Sequence, residues 1–291
     1  MESKQRSLVR LLRPRDWIKN LFLFAPLFFT PRLLHVSEVL LVLLGAIIFS
    51  MTASSIYVLN DLRDCAADRL HPIKSNRPIA GGRITLKTAQ FIFVVLSVFS
   101  LLCAFYVSMS FFWIVLIYYL LNVAYCMGLK DIAIVDIYCV SAGFILRVVA
   151  GSRLIQVTPS VWILMCTGLL ALFLALGKRR DDIVHQMDET HRKSIRGYNV
   201  VFIDTCIAIT LSALLIAYTI YTTLNMTEMH LGTAHFYMTV PLVLFGILRY
   251  LQLTLVEEKS GSPTTLLYTD KILLSTTIAW VIVSAALMYP L

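Results

Sequence analysis

Charged side chains are so unevenly placed along this chain that its six longest intervals free of Asp, Glu, Lys and Arg are 39–60, 88–129, 154–177, 205–227, 229–248 and 272–291. Each is long enough for a membrane crossing, which takes about 20 mostly apolar residues. The 42-residue interval exceeds one helix and divides into two at Ser108-Met109-Ser110, which makes seven spans. Two more are expected at 17–31, which contains Pro26, and at 132–151, where Asp136 and Arg147 interrupt an apolar helix. The expected fold is therefore all-α and polytopic, with nine transmembrane helices.

Composition agrees: 58% of residues are hydrophobic and 14% charged, against about 45–50% and about 25% in soluble domains. Such a chain has too little polar surface for a soluble nucleic-acid-binding domain or a secreted enzyme. The six cysteines form no C-x-x-C pair and fall mostly in apolar stretches, so neither a metal framework nor a disulfide framework is implied. The first nineteen residues have no apolar core followed by a small-residue cleavage site, so no signal peptide is expected to be removed. Leu8, Val9, Leu11 and Leu12 interleave there with Arg6, Arg10, Arg13 and Arg15. That pattern predicts a basic amphipathic segment at 1–16 lying in the membrane interface, ahead of one transmembrane domain at 17–291.

With the N-terminus inside, the cytoplasmic segments are 1–19, 60–87, 127–131, 178–199 and 249–271, and they hold 22 of the 25 Lys and Arg residues. The positive-inside rule selects this orientation and puts the C-terminus on the opposite side. Fifteen of the seventeen acids lie in the same segments or at the membrane ends beside them. Enrichment of both signs goes beyond topology and points to a polar site on the cytoplasmic face.

The second span ends in Asn60-Asp61-Leu62-Arg63-Asp64, with Asp68 one turn further on. If the helix continues, Asn60, Asp64 and Asp68 share one face with Asp61 beside them. Carboxylates that close need a cation among them, and hard oxygen ligands suit Mg²⁺ bridging a diphosphate. A loop with Lys74, Arg77 and Arg83 follows at once and supplies cations for phosphate oxygens. Asp136 and Lys130, with Tyr125, come from the fourth and fifth spans near the same face, and an ionisable residue within a span is a functional candidate by default. Asp136 is the stronger catalytic candidate of these. Arg147 lies eleven residues beyond it, about 16 Å along a helix, and reads as structural or snorkelling. Asp204 and Tyr198 are expected to support the site from the start of the seventh span.

These residues carry a resemblance. N-D-x-x-D-x-x-x-D followed by R-x-H-P-x-K-x-x-R-P-I-A-x-G, with His71 and Pro72 in it, resembles the UbiA superfamily of intramembrane prenyltransferases, and more narrowly its decaprenyl-phosphate phosphoribosyltransferase branch. Arg13-Pro14 through Asn20, Tyr125 to Gly151, Gly177 to Asp181, and Gly261-Ser262-Pro263-Thr264 with Asp270 are similar to further patterned segments in the same order. The resemblance implies helices around a central cavity open to the cytoplasm, in a bacterial inner membrane. It implies transfer of phosphoribosyl from 5-phosphoribosyl-1-diphosphate (PRPP) to a polyprenyl phosphate, with Mg²⁺ and loss of diphosphate. Carried onto this sequence, Asn60, Asp61, Asp64 and Asp68 would hold Mg²⁺–diphosphate, and Lys74, Arg77, Lys130 and Lys178 would neutralise phosphate. Where ordinary members have a second aspartate-rich motif, this chain has Lys178-Arg179-Arg180-Asp181-Asp182. A basic cluster there suits a donor with a second phosphate. The alternatives are a prenyltransferase moving a polyprenyl group from its diphosphate to an aromatic acceptor, and a transporter or noncatalytic membrane protein. Against the latter, the acids gather at one face rather than at the midplane.

Overall fold

The computed structural model describes residues 4–70, 74–184, 193–224, 231–257 and 263–289, so His71, Pro72, Gly261 and Ser262 of the sequence motifs lie outside it. Among the described residues every regular element is helical. Among the described residues eight helices are long and apolar enough to cross a membrane. They include α3 (Val36–Leu70), α4 (Leu86–Val107), α5 (Met109–Met127), α6 (Val135–Leu154), α7 (Val161–Val184) and α8 (Val200–Thr223). The seventh spans Phe236–Val256 around α9 (Val240–Leu251), and after the short α10 (Pro263–Thr269) comes α11 (Lys271–Met288). The chain is a multi-pass membrane protein.

The expected break in the 42-residue apolar run is at Ser108, whose extended backbone (φ −169°, ψ 136°) separates α4 from α5. Residues 17–31 do not form one long α-helix. Instead an 11-residue 3-10 helix, Pro14–Phe24, leads into the five-residue α2, Ala25–Phe29. A 3-10 helix rises about 2.0 Å per residue against about 1.5 Å for an α-helix, so the segment extends roughly 30 Å, close to the hydrocarbon thickness. The segment reaches that length with fewer residues than an α-helix needs.

Polar groups fix this segment to the bundle. Trp17 Nε1 donates to Ser54 at 3.0 Å, and Asn20 donates to Ser50 at 2.7 Å. A side chain at Gly151 would collide with the backbone of Leu23, so glycine permits the 3-10 helix to lie directly on α6. Asn20 also accepts from Arg147 Nε at 2.8 Å. Arg147 is buried rather than snorkelling: it donates to Gly143 O and Tyr118 Oη and lies within about 5 Å of the rings of Phe49, Tyr118 and Phe144. One guanidinium therefore ties together the first segment, α3, α5 and α6.

Ahead of them, α1 (Lys4–Leu12) is seated on the far part of α3. Its fully buried Leu11 packs with Val58, Cys65, Ile79, Ile84 and Ala89. Arg13, with a left-handed backbone (φ 52°), separates α1 from the 3-10 helix, which then passes through residues 16 and 17 without interruption.

Helix α3 has 35 residues and is about 52 Å long, well beyond a hydrocarbon core of about 30 Å. Its final turns, from Asn60 to Leu70, therefore continue beyond that thickness, with Cys65 packed against Leu11, Ile79 and Ile84. The membrane window of α3 is 61% buried, against 17% for α4, so α3 is central and α4 faces lipid.

Candidate active site

A cavity of about 500 Å³ opens where α3 emerges from the bundle. Its lining comes from five separate parts of the chain: Arg13; Ile56, Tyr57, Asn60, Asp64, Ala67 and Asp68 of α3; Lys74 and Arg77; Asn122, Tyr125, Cys126, Lys130 and Asp131; and Lys178, Asp182 and Ile195. The helical spacing of Asn60, Asp64 and Asp68 brings all three to its wall, as expected.

Asp64 and Asp68 each face a cation of the chain. Lys130 Nζ is 2.5 Å from Asp64 Oδ1 and 3.2 Å from Asn60 Oδ1. A single nitrogen of Arg77 donates to Asp68 Oδ2 at 2.7 Å and to Asp61 Oδ1 at 3.1 Å. Among the described residues no three metal-binding acids, histidines or cysteines gather into one group. Asp61, expected to converge with Asp64 and Asp68, meets Asp68 on one Arg77 nitrogen but is buried outside the lining, between Arg77 and Arg13. One residue along an α-helix turns a side chain by about 100°, which takes Asp61 off the face of Asn60. The set that remains, Asn60, Asp64 and Asp68, supplies only oxygen donors on one helix face and fits a hard divalent cation.

The same rotation divides the basic cluster at the end of α7. Lys178 lines the cavity, but Arg179 is buried and donates to Asp136 at 2.8 Å, and Arg180 pairs with Asp204 at 2.6 Å. Arg179 and Asp136, expected to meet a ligand and to act on substrate, thus lie outside the cavity lining, paired with each other. Asp136 is completely buried. Its Oδ2 accepts from Arg179 and Ser194, and its Oδ1 accepts from the Tyr198 hydroxyl at 2.7 Å. A buried acid is tolerable when it is paired and hydrogen-bonded in this way.

Tyr198 has a further contact. Its oxygen accepts from the backbone N–H of Ile134 at 2.6 Å, a β-branched residue at φ +69°. Strained backbone of that kind persists where its surroundings hold it, and here it sets the turn between Lys130 and α6. Burial, with the hydrogen bond to Asp136, raises the phenol pKa, so Tyr198 stays a proton donor throughout the neutral range.

Sequence reasoning missed Arg13, Tyr57, Asn122, Asp131 and Asp182 as cavity residues. Arg13 had a signal in its place before Pro14: it takes a left-handed backbone (φ 52°), lies 5.1 Å over the Tyr57 ring and reaches Asp61 at 2.5 Å. The glycine opening the α7 motif also has a function. A side chain at Gly177 would meet the Pro263 ring and the Tyr250 hydroxyl, so two distant patterned segments touch there. With all its charges counted, the cavity carries five cations (Arg13, Lys74, Arg77, Lys130, Lys178) against four carboxylates (Asp64, Asp68, Asp131, Asp182).

The chain belongs to the UbiA prenyltransferase family, which it matches over residues 21–276, and is a transferase of that family. It is 31% identical over 280 residues to the Mycobacterium tuberculosis protein named decaprenyl-phosphate phosphoribosyltransferase, covering 94% of this chain and 91% of that one. The protein of the same name from Corynebacterium glutamicum is 31% identical over 293 residues, 98% of this chain and 88% of its own. Among solved structures, a UbiA homolog from Archaeoglobus fulgidus bound to GPP and Mg²⁺ superposes with a TM-score of 0.72 at 19% identity, over 97% of this chain and 99% of that one. At that identity the likeness establishes the fold.

Proposed function

We propose that this enzyme transfers 5-phosphoribosyl from PRPP to a polyprenyl phosphate, in a Mg²⁺-dependent reaction that releases diphosphate. The observation that carries this reading is the cavity itself: Asn60, Asp64 and Asp68 line it together with Lys74, Arg77, Lys130 and Lys178, in a chain similar end to end to proteins named for this reaction. Asn60, Asp64 and Asp68 are the metal-holding residues of the proposal. Bound there, Mg²⁺ would neutralise the negative charge gathering on the departing diphosphate.

In the reaction, the bond from the anomeric carbon to the diphosphate oxygen breaks, and the electron pair leaves with diphosphate. A phosphate oxygen of the lipid forms the new bond to that carbon from the opposite side, which inverts the anomeric configuration. The lipid phosphate has a second pKa of about 6 and is already anionic at neutral pH, so no general base is required. The protein instead has to assemble two anions. Lys130 and Arg77 exchange their carboxylate partners for phosphate oxygens as substrate arrives, and Lys178 is placed to meet the ribose 5-phosphate. Because Arg179 and Arg180 are committed to Asp136 and Asp204, Lys178 is the cation of that run that faces the donor. We place the cavity on the cytoplasmic side of a bacterial inner membrane, with PRPP entering from solution and the lipid through the bilayer.

The test is incubation of purified protein with radiolabelled PRPP, polyprenyl phosphate and Mg²⁺, beside a parallel reaction with prenyl diphosphate and 4-hydroxybenzoate. A lipid-extractable, PRPP-derived product that requires the polyprenyl phosphate is the expected result. Prenylated aromatic product without PRPP turnover would overturn the reading.

A further inference from the structure

Two residues at the end of α7, Lys178 and Asp182, face the cavity, and their four-residue spacing puts them on one side of the helix. Arg179, three residues before Asp182, lies beside that face but is buried and outside the lining. From its buried position it holds Asp136 through Nε and Asp182 Oδ2 through Nη1. Asp136 is in turn fixed by Tyr198 and Ser194. A chain of buried, mutually bonded groups thus ends on the Asp182 carboxylate and gives it one orientation. Asp182 keeps 13% of its side chain exposed, and what it is exposed to is the cavity. It stands on a different wall from Asn60, Asp64 and Asp68, since α7 is separated from α3 by α6.

We infer that Asp182 reads the sugar of the donor, its carboxylate accepting a hydrogen bond from a ribose hydroxyl. The assignment rests on the phosphoribosyl reading above and makes it specific. A carboxylate repels phosphate, so within a cavity built for anions its fitting partner is a neutral hydrogen-bond donor. The ribose of PRPP carries two hydroxyls between its anionic groups, whereas a prenyl chain has none. A prenyl diphosphate would desolvate the cavity side of Asp182 without offering it a hydroxyl, beyond its pair with Arg179, and a site made to bond a hydroxyl discriminates strongly against a ligand lacking it. Arg179 and Asp136 are then positioning residues that act through Asp182.

The experiment compares the full-length wild type, Asp182→Ala and Asp182→Asn with PRPP and with its 2-deoxy and 3-deoxy analogues, at several Mg²⁺ concentrations. Removing the bonded hydroxyl should lower kcat/KM of the wild type about tenfold or more, the size expected of a hydrogen bond to a charged group. Asp182→Ala should lose that factor with PRPP and lose nothing further with the analogue. Intrinsic differences in analogue reactivity act on every protein alike and cancel in the comparison. If the Ala variant does not fold by thermal melting, Asp182→Asn, which preserves volume, carries the comparison with a smaller loss of the same kind. Undiminished discrimination among the donors in the variants overturns the assignment. So does an equal loss on all three donors that is repaired by raising Mg²⁺, which makes Asp182 a metal ligand. A wild type that leaves PRPP unconsumed overturns the reaction reading instead, and this assignment with it.

Discussion

Lys130 holds its ammonium 2.5 Å from the carboxylate of Asp64, so a metal ion arriving at Asp64 must compete with a cation the protein already supplies. The same competition holds at Asp68, where Arg77 is the occupant. Metal should therefore bind weakly alone and more tightly with a diphosphate that draws both cations away.

Lys130→Met isolates that effect. Without donor, Mg²⁺ affinity should rise, because Asp64 is released, while PRPP affinity should fall about tenfold or more for the lost charge-assisted contact. Isothermal titration calorimetry of each ligand alone reads the two shifts, and movement in the same direction would contradict the exchange.

Asp64→Asn replaces a charged oxygen ligand at nearly constant volume. Turnover should be abolished while membrane insertion and melting temperature stay near those of the wild type. Chelation of the wild type should give the same loss, reversible on adding Mg²⁺ back. Normal activity in purified Asp64→Asn would remove this residue from the metal site.

Asp136→Ala should behave differently, since it leaves Arg179 buried with one of its two carboxylate partners removed. Breaking one side of a buried ion pair costs about 3–5 kcal/mol, and thermal unfolding in detergent should show it. The double variant Asp136→Leu with Arg179→Met removes both charges and should recover much of that stability, although turnover should remain low because Asp182 loses its anchor. A melting temperature unchanged in Asp136→Ala would refute the structural role.

Topology follows from whether Pro14–Phe29 crosses the bilayer. With that crossing the helices make nine passes and the two termini lie on opposite sides. Reporter fusions at each terminus distinguish this from eight passes, which would return both to the same side.

The parts of this protein legible in its sequence are those set by local periodicity. The break at Ser108 was visible because no helix accommodates the whole apolar run, and the Asn60, Asp64, Asp68 face was visible because four residues make nearly one turn. Hydropathy does not encode helical pitch, so the 3-10 geometry of Pro14–Phe24 left no mark beyond the shortness of its apolar run. The splaying of Lys178, Arg179 and Arg180 is implicit in an angle of 100° per residue, yet their partners are not: Asp136 lies 43 positions from Arg179, and Asp204 lies 24 from Arg180. A pair formed across the bundle leaves no local pattern, so the partner of Asp136 is not legible in the sequence.

The uninterrupted course of α3 has a mechanical consequence. Phe49 is clamped within the bundle beneath Arg147, and Asp64 rides the same rod fifteen residues on, about 22 Å along its axis. The height of the proposed metal ligands is thus set by the protein and not by the surrounding lipid. A lipid acceptor is held by its headgroup at the membrane surface, a plane that rises and falls with acyl-chain length. Bilayer thickness then acts as a vertical alignment control between acceptor and ligands, and the rate in vesicles should peak at the thickness that brings the two to one level.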